Sequence, residues 1–501
     1  MKNKSILCML LLMAPYYRIQ AQQLFETQKI FASDPAPEAY FGESVGISGD
    51  YMVVGATGDI TNGQLSGSAY VFHKNEGIWQ QVAKLTPSDG SEYDYFGYFS
   101  AISGDCIVFG VPDDDDNGDR SGSAYVFVKP SDGWKDMTET AKLTASDAAA
   151  GDFFGHKIAI SGDCIVIGAN GNDDSGERSG AAYVFVKPAE GWSTMTETAK
   201  LTASDAAIDD RFGSVSVSDD YIVIGAPRND DSGSNSGSAY LFKKPVNGWH
   251  NMTETAKLLP SDGAPEDFFG ISVGISGNTI VVGALYDDDN GNNSGSAYVF
   301  TKPANGWKNM TETAKLKSSD GAIDDNFGEN VAVSGDLLII TSQFHGSMGS
   351  VYLFKKPGSG WVNATETKML LASDGAPIQH FGSSVSMDGS SAIVGSLTDD
   401  YLASNSGAAY IFDLSSEITA VRESDQSIFS VYPNPFNGEL RINITGDIDK
   451  LWITDMYGKI VYEKTQMQND ETLGLYGLKS GFYILHIQRG AEIISGKIVK
   501  L

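Results

Sequence analysis

The chain has 501 residues, 41% of them hydrophobic and 11% aromatic, which is enough apolar material for more than one cored domain. Its 64 acidic residues against 35 basic ones give a formal charge of −29. That balance argues against a nucleic-acid partner, whose phosphates need Lys and Arg for counterion release, and suits solubility, cations or a basic partner.

Residues 1–21 place Lys2 and Lys4 ahead of an apolar run from Ile6 to Ala14 and a small residue, Ala21. This is the pattern of a secretory signal peptide, and the run is too short to span a bilayer, where about 20 residues are needed. The mature protein is expected to be exported, to start near Gln22 and to span no membrane. It then keeps 32 basic and 64 acidic residues, a charge of −32. Cys8 leaves with the signal. Cys106 and Cys164 stand at the same place in two neighbouring copies of a repeat, "GDCIVFG" and "GDCIVIG", and read as small buried apolar residues. A disulfide or metal pair is the alternative.

From residue 27 to 413 one unit returns with a period of 54 to 58 residues. Phe-Gly occurs at 41–42, 96–97, 154–155, 212–213, 269–270, 327–328 and 381–382, and "SD" precedes each Phe by eight residues. A Tyr in "AYVF" or its variant follows the Phe by 29 residues in five copies, by 28 in the fourth and by 25 in the sixth. A Trp follows that Tyr by nine residues in six copies. Between the variable spacings lie short alternating or apolar runs rich in β-branched and aromatic residues, which predict four strands per copy: "SVGIS" (a), "YIVIGA" (b), "GSAYVF" (c) and "TAKLTAS" (d). Four strands at this period point to an all-β, seven-bladed β-propeller, with an open solenoid as the runner-up. The last copy stops at strand c, while "TQKIFAS" at 27–33 is a surplus strand d ahead of the first copy. An amino-terminal strand completing the last blade closes the ring and leaves no edge unpaired.

The pattern "FGxSVxISGDxIVVGA…GSAYVF" resembles the FG-GAP repeat of integrin α-subunit propellers, and more closely its bacterial relatives, over roughly residues 27–413. The family's calcium loop, of the form DxDxDG, is replaced here by "SGD" or "SGN".

The topology of such a blade brings the d-to-a and b-to-c loops to one face. Both are acidic, as in "SDGAPEDFFG" (261–270) and "PDDDDNGDRSG" (112–122). Asp, Asn and Gly are good turn formers, and solubility alone accounts for them. The sharper reading is a calcium site, best matched in the second blade by Asp113, Asp115 and Asn117, with Asp119 as a further ligand-binding residue. Beyond calcium no cofactor is expected, and a catalytic carboxylate pair is the third reading. The Trp residues are read as packing on the outer blade edge with the indole N–H on an acceptor, the alternative being a ring of sugar-stacking platforms.

Enzyme signals are poor. "GESVG" and "GISVG" satisfy G-x-S-x-G at Ser44 and Ser272, but the equivalent positions hold Phe99, Lys157, Val215 and Asn330, and a strand-to-helix elbow is required. The sixth copy has lost its acidic loop, "SQFHGSMGS", and gained only His345.

A polar linker, 416–428, follows the propeller at 22–415. Residues 429–501 carry eight basic and eight acidic residues and form a separate domain, whose alternating runs fit a small Ig-like antiparallel β-sandwich. Its motifs "VYPNPFNGEL", "DMYGKIV", "LKSGFYILHI" and terminal "KIVKL" resemble the type A sorting domain of the type IX secretion system, carried by Pro433, Asn434, Pro435, Gly458, Gly481 and Tyr483. The resemblance implies passage across the outer membrane by that machinery, then release or attachment to the cell surface. The chain is therefore expected to be a monomeric secreted or surface-attached binding or adhesion protein, not an enzyme, with a surface glycan or protein as ligand. A glycan-active enzyme with acids on the rim and a structural surface protein without a specific ligand are the alternatives.

Overall fold

A computed structural model describes residues 22–374, 379–418, 429–432, 436–444, 449–455, 459–465, 470–489 and 492–500. The signal-peptide segment, most of the linker, and Pro433, Asn434, Pro435 and Gly458 lie outside the described residues. The chain divides into two compact units between Leu414 and Ser415.

The first unit is a ring of seven antiparallel sheets. In the first blade strands a to d are Phe41–Ser48, Tyr51–Ala56, Ser68–Asn75 and Ile78–Leu85; in the third they are Phe154–Ser161, Cys164–Ala169, Ala181–Val186 and Ala199–Leu201. Strands b and c are apolar on both faces because both are covered, each by a neighbouring blade. The result is seven interblade cores. One joins Val108 and Val126 of the second blade to Ile165, Ile167 and Tyr183 of the third. Another joins Ile393 and Ile411 of the seventh to Val45, Met52 and Val54 of the first.

That last core shows the ring to be closed. Gln28–Ile30 pairs antiparallel with Ala408–Asp413, with Lys29 opposite Tyr410, as the surplus "QKI" predicts. The closure extends further than the sequence suggests. In blades two to six the loop after strand c sends a "MT" or "AT" segment back alongside strand d of the preceding blade, in parallel bridges such as Leu85 to Met137 and Leu143 to Met195. Gln22–Phe25 does the same against Lys368–Leu371 of the sixth blade. The segment "LFETQKIFAS" thus stands in for "MTETAKLTAS" along its whole length.

The recurring motif residues have separate tasks in this ring. Phe of the FG pair is fully buried and packs edge-on against Tyr and Phe of its own strand c, as Phe154 does with Tyr183 at 5.4 Å and Phe185 at 6.0 Å. The glycines let neighbouring blades touch through their backbones. A Cβ on Gly110 of strand b would lie 2.0 Å from the carbonyl oxygen of Gly155 in the next blade, and the same contact closes the ring from Gly395 to Gly42. In "SD" the Ser N–H and Oγ both donate to the Glu of the next "TETA", as in Ser261 to Glu312 at 2.9 and 2.6 Å. Glu26 does this for Ser373, at 3.0 and 2.5 Å, across the closure.

Five of the six repeat Trp residues are buried, Trp249 at 6% exposure among them, and Trp307 is partly buried against the same kind of core. This is the packing role expected, and it removes a ring of stacking platforms. The expectation of an acceptor for each indole fails at Trp134, Trp307 and Trp361, whose Nε1 atoms have no hydrogen-bond partner. Cys106 and Cys164 are free thiols, and burial pushes them up to about 12 and about 11. The disulfide alternative is thereby removed.

The second unit has a three-stranded sheet, in the order Phe429–Tyr432, Glu439–Ile444, Asp470–Gly474, and a four-stranded one, in the order Ile460–Thr465, Lys450–Asp455, Gly481–Arg489, Glu492–Lys500. Phe436, Leu440, Ile442, Leu451, Ile453, Leu485 and Ile487 fill its core. Gly481 opens the third strand of the larger sheet and Tyr483 is buried, its hydroxyl donating to the Lys479 carbonyl at 2.8 Å. The runs "LRINIT", "KLWITDMYG", "KIVYEK", "GFYILHIQ" and "GKIVKL" predict five of these strands, and Phe429–Tyr432 and Asp470–Gly474, which are short and carry polar residues, are missed.

Candidate functional site: a central cavity walled by unshared residues

The acids of the loop face are largely spent on the fold. In each blade but the sixth, the Lys of strand d lies under the ring of the strand c Tyr and meets the Asp of "SD" and an Asp or Asn of the b-to-c loop. Lys315 Nζ is 2.8 Å from Asp262, Asp287 and Asp289, and 5.0 Å from the Tyr298 ring centroid. Lys142 holds Asp89 at 2.8 Å, Asp114 at 3.0 Å and also Asp116. The Tyr hydroxyl donates into the same cluster, from Tyr125 to Asp114 at 2.7 Å and to Asp89 at 2.9 Å. A second set of acids, Asp94, Asp152, Asp210, Asp267 and Asp325, is buried and caps the d-to-a turn by accepting the N–H three residues earlier. The Lys of "AKL" stands in six of the seven copies at a fixed place opposite the Tyr; it is the signal that could have identified these clusters in the sequence.

The sixth blade departs from the pattern in a compensated way. Met369 replaces the Lys opposite Tyr352, and His345, from the shortened loop, takes over, with Nδ1 2.8 Å from Asp325 and Nε2 3.4 Å from Asp320.

The expected calcium residues do not gather. Asp113 is half-buried and borders the central cavity, where burial pushes its carboxyl up. Asp115 and Asn117 are exposed, Asp115 accepting from the Arg120 N–H at 2.7 Å, and Asp119 lies beside the Arg120 guanidinium at 3.4 Å. Among the described residues the cluster of carboxylates with metal-like spacing is Asp262, Asp287 and Asp289, and the Lys315 ammonium sits in it.

Strand a of every blade lines the ring axis, and at the loop end the strands enclose a cavity of about 930 Å³. Its wall is formed by the two residues after each FG, the residue after strand b in every blade but the first, and some of those before FG. These are the positions at which the copies differ. After FG stand Glu43-Ser44, Tyr98-Phe99, His156-Lys157, Ser214-Val215, Ile271-Ser272, Glu329-Asn330 and Ser383-Ser384. Ser44 and Ser272 each donate to a neighbouring blade's backbone carbonyl, Gly97 and Gly328, at 2.7 Å.

Charge in this cavity sits in a low-dielectric wall. Burial pushes the carboxyls of Glu43 and Glu329 up to about 7, with Lys157 pulling the other way. Burial also lowers Lys157, against the pull of both Glu residues, and its Nζ lies 4.7 Å from the Phe99 ring centroid. Burial holds His156 down to about 3, helped by Lys157 and Arg211, so the ring is neutral. At the rim Asp209 ties Arg211 at 2.7 Å to Arg228 at 2.6 Å.

The raised carboxyls carry a prediction of sign. A group whose folded value exceeds its unfolded one contributes stability below the unfolded value, about 4.5, and loses it as pH rises through about 7. Glu329→Gln keeps the shape of the neutral acid, so it should raise the melting temperature at pH 8, by the equivalent of about 1–3 kcal/mol, and leave it nearly unchanged at pH 5. Melting curves of the two proteins at the two pH values check this.

The fold and site define the class: a closed seven-bladed propeller whose shared residues build the ring and whose unshared residues line an axial cavity, followed by a separate β-sandwich. The chain belongs to the FG-GAP repeat family, which matches it at residues 24–72, 79–127, 137–185, 195–242, 252–300, 310–354 and 364–412. Residues 430–501 match the secretion system C-terminal sorting domain. The protein is therefore secreted, by the type IX route to which that domain directs its cargo. No curated protein matches the chain. Among solved structures it is similar to PorZ, an essential bacterial surface component of the type-IX secretion system of Porphyromonas gingivalis, at 11% identity and a TM-score of 0.43, covering 94% of this chain and 61% of that one. Among the described residues no helix is long and apolar enough to cross a membrane.

Proposed function

We propose that the secreted propeller is a binding or adhesion module, without catalysis of its own, that holds part of a surface ligand in the central cavity. One observation carries this reading: the divergent residues of seven otherwise similar blades converge on one concave space of about 930 Å³, at the upper end of the roughly 300–1,000 Å³ typical of ligand sites. A purely structural ring has no need of Lys157, Glu43 and Glu329 there, and burying them costs stability.

The test is capture of cell-surface extract by the secreted protein, with calcium and with chelator, beside the triple variant Glu43→Ser, Lys157→Ser, Glu329→Ser. Binding lost in the variant supports the reading; equal capture by both proteins overturns it. Loss with chelator would assign calcium to the ligand site.

A second reading, a glycan-active enzyme, is favoured by the two carboxyls pushed to about 7 in one cavity, because an acid in that range can donate a proton near neutral pH. Release of reducing ends from polysaccharide that stops with Glu329→Gln would decide for it.

A further inference from the structure

The chemistry of the cavity wall narrows the ligand, on the strength of the binding reading above. Among the described residues Lys157 Nζ has no hydrogen bond and no direct salt bridge, and its cation rests on the Phe99 face. Among the described residues the Glu43 carboxyl likewise has no hydrogen-bond donor. Glu329 accepts from Gln343 Nε2 through one oxygen, while its other oxygen has no partner. His156 Nδ1 and Asn170 Oδ1, in the same wall, are also unpartnered. On the loop face the strand d Lys residues are paired with acids blade after blade, as Lys142 and Lys315 are, so charged side chains without such partners around one space are a local departure.

Each ligand class meets this wall differently. An apolar ligand would leave all these groups dry and unpaired, which disfavours it. A cation would face Lys157, and an anion would face Glu43, Glu329 and Asp113. A hydroxyl both accepts and donates, so a set of neighbouring hydroxyls can accept from Lys157 and donate to Glu43 and Glu329 at once. Phe153 and Phe268 add apolar surface to the wall, each with a guanidinium, of Arg120 and Arg228, over its ring.

We propose that the cavity binds a neutral saccharide, held by hydrogen bonds to Lys157, Glu43 and Glu329. The experiment uses the full secreted chain on an array of neutral, acidic and amino oligosaccharides, followed by calorimetry. The expected result is at least one neutral oligosaccharide bound, at least tenfold more weakly by Glu329→Ala and by Lys157→Met, which keeps the stem over Phe99. Binding by Glu190→Ala, at an exposed position outside the cavity wall, should change less than twofold. Melting curves of each variant separate lost binding from lost fold. Capture of only charged glycans or only protein ligands, still lost in Glu329→Ala, overturns the saccharide assignment and leaves the cavity as the site. Binding unchanged in both cavity variants overturns the site as well.

Discussion

Deleting residues 22–33 should abolish the cooperative unfolding of the propeller, although these residues precede the first complete repeat. The segment supplies three things that the seventh blade lacks by itself. It provides the outer strand, Gln28–Ile30, whose Ile30 is buried in the core between the last blade and the first. It provides Lys29, which lies 2.8 Å from the fully buried Asp399 and 2.6 Å from Asp374. It provides Glu26, which fastens Ser373 of the preceding junction. A lost core residue and an uncompensated buried carboxylate each cost about 2–5 kcal/mol, so their sum rivals the roughly 5–15 kcal/mol by which a domain is stable. Urea unfolding checks this: a broad, non-cooperative transition is expected, and a midpoint equal to that of the intact chain would show that the ring holds without its closing segment.

Lys315→Met should be the most damaging single substitution on the loop face. It leaves Asp262, Asp287 and Asp289 facing one another with Lys317, 3.4 Å from Asp289, as the remaining counter-charge, and breaking a buried pair from one side costs about 3–5 kcal/mol. The sixth blade shows what compensation requires. There Met369 is accommodated because the loop that carried the buried Asp has been shortened and His345 meets the remaining acids. Adding Asp287→Asn to Lys315→Met should therefore recover part of the loss. The pH dependence has a fixed sign. Burial pushes the Asp289 carboxyl up, but the Lys315 hydrogen bond and charge outweigh it and hold it below its usual range. Its stabilisation is present above the unfolded value of about 3.8 and is lost as pH falls through the lower folded value. The difference between wild type and Lys315→Met, read from urea midpoints, should thus shrink below about pH 4.

Much of the fold was legible because a repeat tests itself. Spacings that never vary, such as nine residues from Tyr125 in strand c to the buried Trp134 in the turn beyond it, belong to packed segments, and spacings that vary belong to loops. The surplus "QKI" predicted closure because strand counting is a matter of topology. The parallel pairing of Gln22–Phe25 was not legible, since "QQLF" has no strand pattern of its own and is ordered only by the edge it meets. The acidic loops misled in a physical way. Asp114 and Asp287 look like exposed turn formers in the sequence, yet they are 4% exposed and partnered by a Lys about 28 residues further on, a distance that no local pattern reports. The cavity was visible only as its complement. Lys157, Phe99, Val215 and Asn330 stand out in the alignment as positions that refuse the repeat, and the ring geometry is what brings them to one place.

The account rests on a division of labour between shared residues that close the ring and unshared residues that bind. The most direct test is a variant in which four unshared positions take the Ser found at the same places in other blades: Glu43→Ser, His156→Ser, Lys157→Ser and Glu329→Ser, measured together for melting temperature and for cell-surface ligand capture. The account predicts a melting temperature at pH 8 equal to or above that of the wild type, with capture lost. A variant that melts well below the wild type while still capturing ligand would contradict it.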